Sequence, residues 1–470
     1  MDKRIDNLPL ADTLTPADQD GVAAAVRGAW QEGKPLYPIG GGTQLAYGAR
    51  PAEPGLGLSL AGLNRVIDYP ARDLTITVEA GVTIAELAGR LAAERQRLPV
   101  DVPFPAQATV GGAVALNAAG PRQFRWGTLR DYVIGVRAID GSGTAFSAGG
   151  RVVKNAAGYN LCRLLTGSLG TLGVIVQVTL MVKPMPQTSA FVACDVPDGD
   201  TAEKLLAGLI HTRTLPSAVE LLAGPGFDLE GNPVGWVSNP SGSPNADAGR
   251  VGNPSHAMRL AVGLEGSAAE VEWMIAQLQE EWRQAGVTST ITLPGDQADP
   301  LWNRLTEFAY AGVGRVSNPS GSPDADAGRV GNPSHATRQG LPVPSSADGD
   351  SPLVVQIHVA PSVLVALMER LRELDPRASI QAHAGSGVVF ARFPVEAPEA
   401  AAMVDQRLRP AVRSAGGSMV VLGLPQGAAL GRESLFGPAP EGWAVMQSIQ
   451  RQFDPKGILN RGRFLFAPPA

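Results

Sequence analysis

Residues 381–393, QAHAGSGVVFARF, place His383 at the start of an Ala-Gly-Ser-Gly turn, and it is one of only five histidines in the chain. A neutral imidazole in such a turn can take a proton from a substrate hydroxyl. The same ring can also cap the turn and do no chemistry. The other four are weaker candidates. His256 and His335 fall in low-complexity sequence, and His211 lies in a helical stretch. His358 sits on the apolar strand VVQIHVA, where a lone histidine is ordinarily a packed core residue. A metal held by His383 alone, without a second imidazole or a close carboxylate, would be weak, so no metal site is expected.

Three glycine-rich segments carry the stronger signal: PIGGGTQL (38–45), PAQATVGGAVALNAAG (105–120) and GYNLCRLLTGSLGTLGVI (158–175). Each combines small residues with a hydroxyl, from Thr43, Thr109, Ser168 or Thr171. Glycine lets the backbone approach a ligand closely, and successive N–H groups can form an anion-binding nest. None of the three has a lysine at the spacing of a nucleoside-triphosphate loop. None reads G-x-G-x-x-G between a strand and a helix with an acid downstream. Three such segments close together favour a large, extended ligand carrying a pyrophosphate. Arg122, Arg125 and Arg130 in GPRQFRWGTLRDY could grip a carboxylate, pair with Asp131 or meet a phosphate. Arg461 and Arg463 could face an anionic substrate or the edge of a cofactor.

The elements that must position these groups fall into two patterns. Residues 15–32 open with a capping-type Thr-Pro-Ala-Asp and continue with Val22, Val26 and Trp30 at helical spacing. A short strand at 35–40 runs into the first glycines. LTITVEAGVTIAELAGRLAAERQ (74–96) reads as an alternating strand, a turn and a helix. Residues 110–120 open a short helix of small residues, 133–149 form a hairpin turning at Asp140-Gly141, and 173–182 form a buried strand. From about residue 188, strands at 190–196, 218–223, 259–266, 352–360 and 379–385 alternate with longer helices. An α+β unit with helices on one sheet face is expected there.

A near-perfect repeat interrupts this second unit: residues 237–257 recur as 316–336 with only Asn245 changed to Asp324. The copies are rich in Gly, Pro, Ser, Asn and Asp and cannot build a core. They read as inserts in surface loops, with 235–257 and 315–352 expected to be unstructured. The chain of 470 residues has net charge −5 and no basic stripe, which excludes nucleic acid as a partner class. Its two cysteines form no close motif, so a reducing compartment fits. The N-terminal MDKRIDNLPLADTLTP lacks an apolar export core, and no apolar run is long enough to span a bilayer.

In order, PIGGGT, VEAGVT (78–83), PAQATVGG, KNAAGY (154–159), GSLGTLGVI and FDPKGILNRGRF (453–464) resemble the FAD-binding domain of the vanillyl-alcohol-oxidase/p-cresol-methylhydroxylase family. The resemblance covers about 15–185 and the last 30 residues. Within that family the chain looks most like the E-subunit branch of bacterial glycolate oxidases. The resemblance implies an α+β fold with two subdomains gripping FAD (1–187), a ferredoxin-like α+β cap (188–435) and a C-terminal segment returning to the flavin (436–470). Carried over by position, Gly40, Gly41, Gly42, Thr43 and Gln44 would wrap the pyrophosphate, with Ala108, Thr109, Gly111 and Gly112 as the opposite wall. Gly81 would approach the adenine end, and Asn117 and Gly120 would line the inner pocket. Gly173 and Val174 would offer backbone groups, and Asn460 would sit beside the flavin ring. Neither GGGTQLAYG nor PAQATVGGAV contains a His or Cys to tether the cofactor, so FAD is expected to be non-covalent.

The resemblance also implies a role in a glycolate oxidase complex with a larger flavin subunit and an iron–sulfur subunit. Such a complex oxidises a small 2-hydroxy acid, glycolate to glyoxylate, in the cytoplasm or peripherally at the inner membrane through those partners. Family members that oxidise such acids directly carry a His-Ala-Gly-Asp-Gly-Asn-x-His turn. Here His383 is kept, but Ser386, Val388 and Phe390 stand in place of the Asp, the Asn and the second His. A flavin-carrying subunit is therefore expected ahead of a stand-alone oxidoreductase or a non-catalytic assembly subunit, with His383 the one catalytic candidate.

Overall fold

A computed structural model describes residues 8–49, 51, 53–118, 120–150, 159–227, 258–311 and 351–463. Both copies of the repeat, and the segment around Lys154, lie outside these residues.

The architecture is mixed α+β. Strands Leu10–Leu14 and Leu36–Ile39 flank Gly55–Ser59 in a small parallel sheet. A second, antiparallel sheet runs in the order Val66–Asp68, Thr75–Glu79, Val174–Met181, Val133–Ile139, Ala145–Gly149. The first helix begins later than its Thr-Pro signal suggests, at Gln19–Glu32, because Asp18 is the residue whose carboxylate accepts from the Gly21 amide. Helix Ile84–Ala93 opens on a full capping box between Thr83 and Glu86.

The strand Thr75–Glu79 departs from the alternation in its sequence, because all five of its residues are buried. Its polar positions are satisfied in pairs. The hydroxyls of Thr77 and Thr179 meet at 3.0 Å across neighbouring strands, and Arg65 donates to both oxygens of the fully buried Glu79.

The largest sheet has eight antiparallel strands. Their order is Ile291–Pro294, Thr188–Val196, Met258–Gly266, Ala218–Ala223, Ser379–His383, Val388–Phe393, Leu353–His358, Ser418–Gly423. Helices Gly199–Ile210, Ala268–Ala285 and Leu364–Leu374 bury their apolar stripes on one face of it. The other face is covered as well, so helices on one side are only half of the arrangement. There Phe191, Leu222, Phe390 and Trp302 pack with Phe104, which precedes the second glycine-rich segment, and with Ala118 within it. Strands buried on both faces read as continuous apolar runs, which is why AFVACDV and AVELLA show little alternation.

An ion cluster joins the two parts. Arg97 grips Glu265 through both oxygens, at 2.6 and 3.0 Å. Arg122 donates to Glu265 at 2.9 Å and to Asp101 at 2.5 Å, and the Trp126 indole adds a fourth bond to Glu265. The Arg122 guanidinium also lies 3.8 Å from the centre of the Trp302 ring. Burial pushes the Glu265 carboxyl up, but the bonds and charges of Arg97 and Arg122 outweigh it and hold the group at about 2.

After helix Trp443–Phe453, the buried Asp454 accepts from the amides of Ile458 and Leu459. The turn it forms feeds the chain beside the strand Leu36–Ile39. There the Leu36 amide donates to the Ile458 carbonyl and the Asn460 amide donates to the Leu36 carbonyl. The end of the described chain is thereby fixed next to the first glycine loop.

Candidate functional site

That junction walls a cavity with about 840 Å³ of open space. One wall is the loop after strand Leu36–Ile39, namely Gly40, Gly41, Gly42, Thr43 and Gln44. The opposite wall is Ala108, Thr109 and Gly112, where Thr109 caps helix Val110–Leu116 by accepting from the Gly112 amide. Asn460 closes one end, and its amide side chain donates to the Leu169 carbonyl at 2.7 Å. Leu169, itself a cavity residue, is where the third glycine segment reaches the site.

The two glycine walls meet without room for side chains. A Cβ on Gly41 would lie 1.6 Å from the Gln107 carbonyl oxygen, and one on Gly40 would lie 2.3 Å from the Thr109 hydroxyl. Gly42 has φ +72°, the left-handed region. No described residue accepts a hydrogen bond from the amides of Gly41, Gly42 or Thr43. A loop of unpaired N–H groups beside a hydroxyl fits the pyrophosphate of a cofactor such as FAD.

The other glycines of the sequence reading lie outside the cavity lining, in the protein's own packing. A Cβ on Gly81 would meet the Leu60 carbonyl at 2.1 Å, on Gly111 the Ala80 side chain at 2.6 Å, and on Gly120 the Asp101 side chain at 2.5 Å. Gly173 and Val174 lead into the buried strand Val174–Met181. Asn117 ends its helix in the left-handed conformation, and its side chain accepts from the Arg130 amide.

Two cavity residues were singled out less firmly or not at all from sequence. Tyr47 lines the cavity, and Arg463 does so while only 8% exposed. The Arg463 guanidinium donates to the carbonyls of Leu45 and Tyr47 and has no carboxylate among the described residues. Burial pushes it down to about 10, so the cavity carries a desolvated cation. Arg463→Leu is expected to weaken FAD binding roughly 10- to 100-fold, the loss of about 1.5–3 kcal/mol from a charge-assisted hydrogen bond. Titration of the flavin-free chain with FAD, followed by flavin fluorescence, measures it.

The histidine turn lies elsewhere. His383 is 2% exposed, and its carbonyl accepts from the amides of Ser386 and Gly387. The turn docks on the short helix Gln123–Trp126. Gln123 donates to the Ser386 hydroxyl at 3.1 Å, and a Cβ on Gly385 would collide with the Phe124 ring. Phe390 stands edge-on to the His383 ring, centroids 5.4 Å apart. His383 is not alone, however, because its Nδ1 lies 2.7 Å from a carboxylate oxygen of Glu220. The one charged residue inside the apolar run AVELLA was the available signal for this partner.

His358 is two strands away, exposed and bonded to Gln356, with Val388–Phe393 between it and His383. His211 caps the helix Gly199–Ile210, and His256 and His335 lie outside the described residues. Arg122 is taken up by Asp101 and Glu265 rather than by Asp131, which is engaged in capping Thr128. Tyr159 is 94% exposed.

A glycine-walled cavity with unpaired loop amides, closed by the returning C-terminal turn, suits the class of flavin-binding oxidoreductases. The family model described as FAD binding domain matches residues 11–149. The model described as FAD linked oxidases, C-terminal domain, matches 185–323 and 353–464, more than half of the chain. The chain therefore belongs to the FAD-linked oxidases, and FAD is its cofactor. It is similar to glycolate oxidase subunit GlcD of Bacillus subtilis (strain 168), 29% identical over 45% of this chain and 45% of the relative. It is similar to a D-2-hydroxyglutarate dehydrogenase of Xanthomonas citri pv. viticola, 35% identical over 42% of each chain. It is also similar to glycolate oxidase subunit GlcE of Escherichia coli (strain K12), 38% identical over 32% of this chain and 43% of the relative. The matched region thus spans less than half the length of each of these relatives. The fold is similar to that of an alkyldihydroxyacetonephosphate synthase, with TM-score 0.66 and 15% identity over 95% of this chain and 76% of the other.

Proposed function

We propose that the chain is the FAD-carrying subunit of a glycolate oxidase-type complex, which oxidises small 2-hydroxy acids such as glycolate together with a larger flavin subunit and an iron–sulfur subunit. The observation that carries this is the cavity whose wall of Gly40–Gln44, with its unpaired amides, faces Ala108, Thr109 and Gly112. The substrate class is supported by the names of the relatives, which include glycolate oxidase subunits and a 2-hydroxyglutarate dehydrogenase. In this proposal residues 1–187 hold FAD non-covalently, 188–435 form a ferredoxin-like cap, and 436–470 return Asn460 and Arg463 to the cofactor. Gly81, Gly111, Asn117, Gly120, Gly173 and Val174 serve it by keeping the walls close.

When bound, FAD supplies the acceptor for the electron pair of the C–H bond. The chain's own residues orient it. The glycine-loop amides and Arg463 meet negative charge, and Asn460 is held by Leu169. Among the described residues no helix is long and apolar enough to cross a membrane. One observation favours a second reading, a stand-alone oxidoreductase: His383 has a carboxylate partner and is more than a turn cap.

Anaerobic addition of glycolate to the purified chain, with and without its partners, tests the proposal. The chain is expected to purify yellow, to release its flavin on acid denaturation, and to bleach with glycolate only in the complex. A colourless chain that takes up no FAD would defeat the proposal. Full-rate bleaching of the lone chain would favour the stand-alone enzyme.

A further inference from the structure

One side of the glycine-walled cavity rests on the large sheet. Its lining residue Ala118 belongs to the core on the sheet face turned toward the FAD-binding half, and two more lining residues, Leu116 and Tyr47, pack against that core. No described residue between 170 and 459 lines the cavity itself. Of the three residues on this side, Tyr47 alone carries a polar side chain.

The backbone of Tyr47 is fixed without use of its hydroxyl. Its amide donates to the Gln44 carbonyl at 3.2 Å, and its carbonyl accepts from Arg463 at 2.5 Å. Arg463 also donates to the Leu45 carbonyl, so the segment that carries the ring is tied to the terminal turn. Gly48, the next residue, has φ +97° and lets the chain turn away directly after the ring.

The phenol oxygen is unspent. No described residue hydrogen-bonds it, and it is not among the buried atoms sealed from contact. It therefore reaches open space, and the cavity is the space that Tyr47 lines. Other polar side chains of the lining are committed to the protein. Thr109 caps its helix, Asn460 donates to Leu169, and Arg463 donates to two carbonyls. Burial pushes the Tyr47 phenol up, so at neutral pH it keeps its proton and is a donor. A ligand that fills the cavity strips water from this donor, which is costly unless the ligand supplies an acceptor in return. FAD offers such acceptors on its ring carbonyls, ribityl chain and phosphates.

We propose that Tyr47 is a cofactor-binding residue whose phenol donates a hydrogen bond to an acceptor atom of bound FAD. The proposal rests on the cavity being the seat of FAD, as proposed above, and not on the identity of the substrate. The glycine-loop amides and Arg463 meet negative charge. Tyr47 adds a neutral, directional contact on the side that rests on the large sheet.

Tyr47→Phe removes one oxygen and leaves the ring in its packing. In the full chain stripped of flavin and titrated with FAD, affinity is expected to fall about 3- to 12-fold, the scale of one neutral hydrogen bond. Tyr310→Phe is the matched control. Tyr310 lies in the same core but does not line the cavity, so its variant is expected to bind FAD as wild type does. As an independent readout, 3-fluorotyrosine placed at position 47 is expected to give a ¹⁹F signal that moves on FAD addition and saturates with the binding curve. This label keeps the hydroxyl, so it reports even if Tyr47→Phe folds poorly. Unchanged affinity in Tyr47→Phe, an equal loss in Tyr310→Phe, or a ¹⁹F signal that FAD leaves in place would each overturn the proposal. If Tyr47→Phe alone is silent while Arg463→Leu loses FAD, the cavity stands and the role of Tyr47 falls. If both variants bind as wild type, the cavity is not the seat of FAD and the functional reading falls with it.

Discussion

Glu265→Ala is expected to destabilise the chain by about 3–5 kcal/mol, read as a lower urea midpoint at neutral pH. The wild-type carboxylate is the shared counter-ion of Arg97 and Arg122, and its side chain is 1% exposed. Removing it leaves two guanidinium groups, 15% and 18% exposed, without their common partner. Asp101 still holds Arg122, which is why the loss should stay short of complete unfolding.

The same contact gives the junction an acid limit. The Glu265 carboxyl is lowered from 4.5 to about 2 in the fold, so its contribution is fully present above pH 4.5 and fades as pH falls toward 2. A depression of that size corresponds to about 3 kcal/mol, consistent with the expected loss in Glu265→Ala. Wild type should therefore lose stability through this window, and Glu265→Gln should lose less of it there. A variant within about 0.5 kcal/mol of wild type at neutral pH would show that the cluster does not join the two halves.

The local elements were legible because their signals are local. Thr83 with Glu86 announces a helix, Asp140-Gly141 a hairpin, and the small residues of 38–45 and 105–120 a close approach of backbone. What joins distant strands was not legible. Glu220 and Glu265 each sit within an apolar run, which signals a buried charge, but nothing in the run names the partner. Register decides that His383 faces Glu220, 163 positions away, and that Arg122 reaches Glu265, 143 positions away. The missing second histidine made His383 look solitary. The strand pairing supplies a carboxylate in its place, a different kind of partner from the other side of the ring. Arg463 was visible as a charge near Asn460, yet its burial in the cavity depends on how Asp454 folds the terminal turn.

Gly41→Ala is expected to cost the chain its flavin. A methyl group at this position would lie 1.6 Å from the Gln107 carbonyl oxygen and 2.6 Å from its carbon, both backbone atoms that cannot swing aside. Relief requires the two glycine walls to separate, and separation moves the amides of Gly41, Gly42 and Thr43 away from Ala108 and Thr109. An anion bound between them loses one wall. An affinity loss on the order of 100-fold, about 2.7 kcal/mol, is the expected scale. Gly28→Ala is the matched control. Gly28 lies inside helix Gln19–Glu32, and a Cβ there meets nothing within 4 Å. It should therefore gain roughly 0.5–1 kcal/mol of stability and leave flavin binding alone. Both variants add the same methyl group, so a difference between them in FAD titration isolates the contact of the two walls. If Gly41→Ala binds FAD as wild type does, the cofactor does not depend on that contact, and the cavity at Asn460 and Arg463 must hold it by its other side.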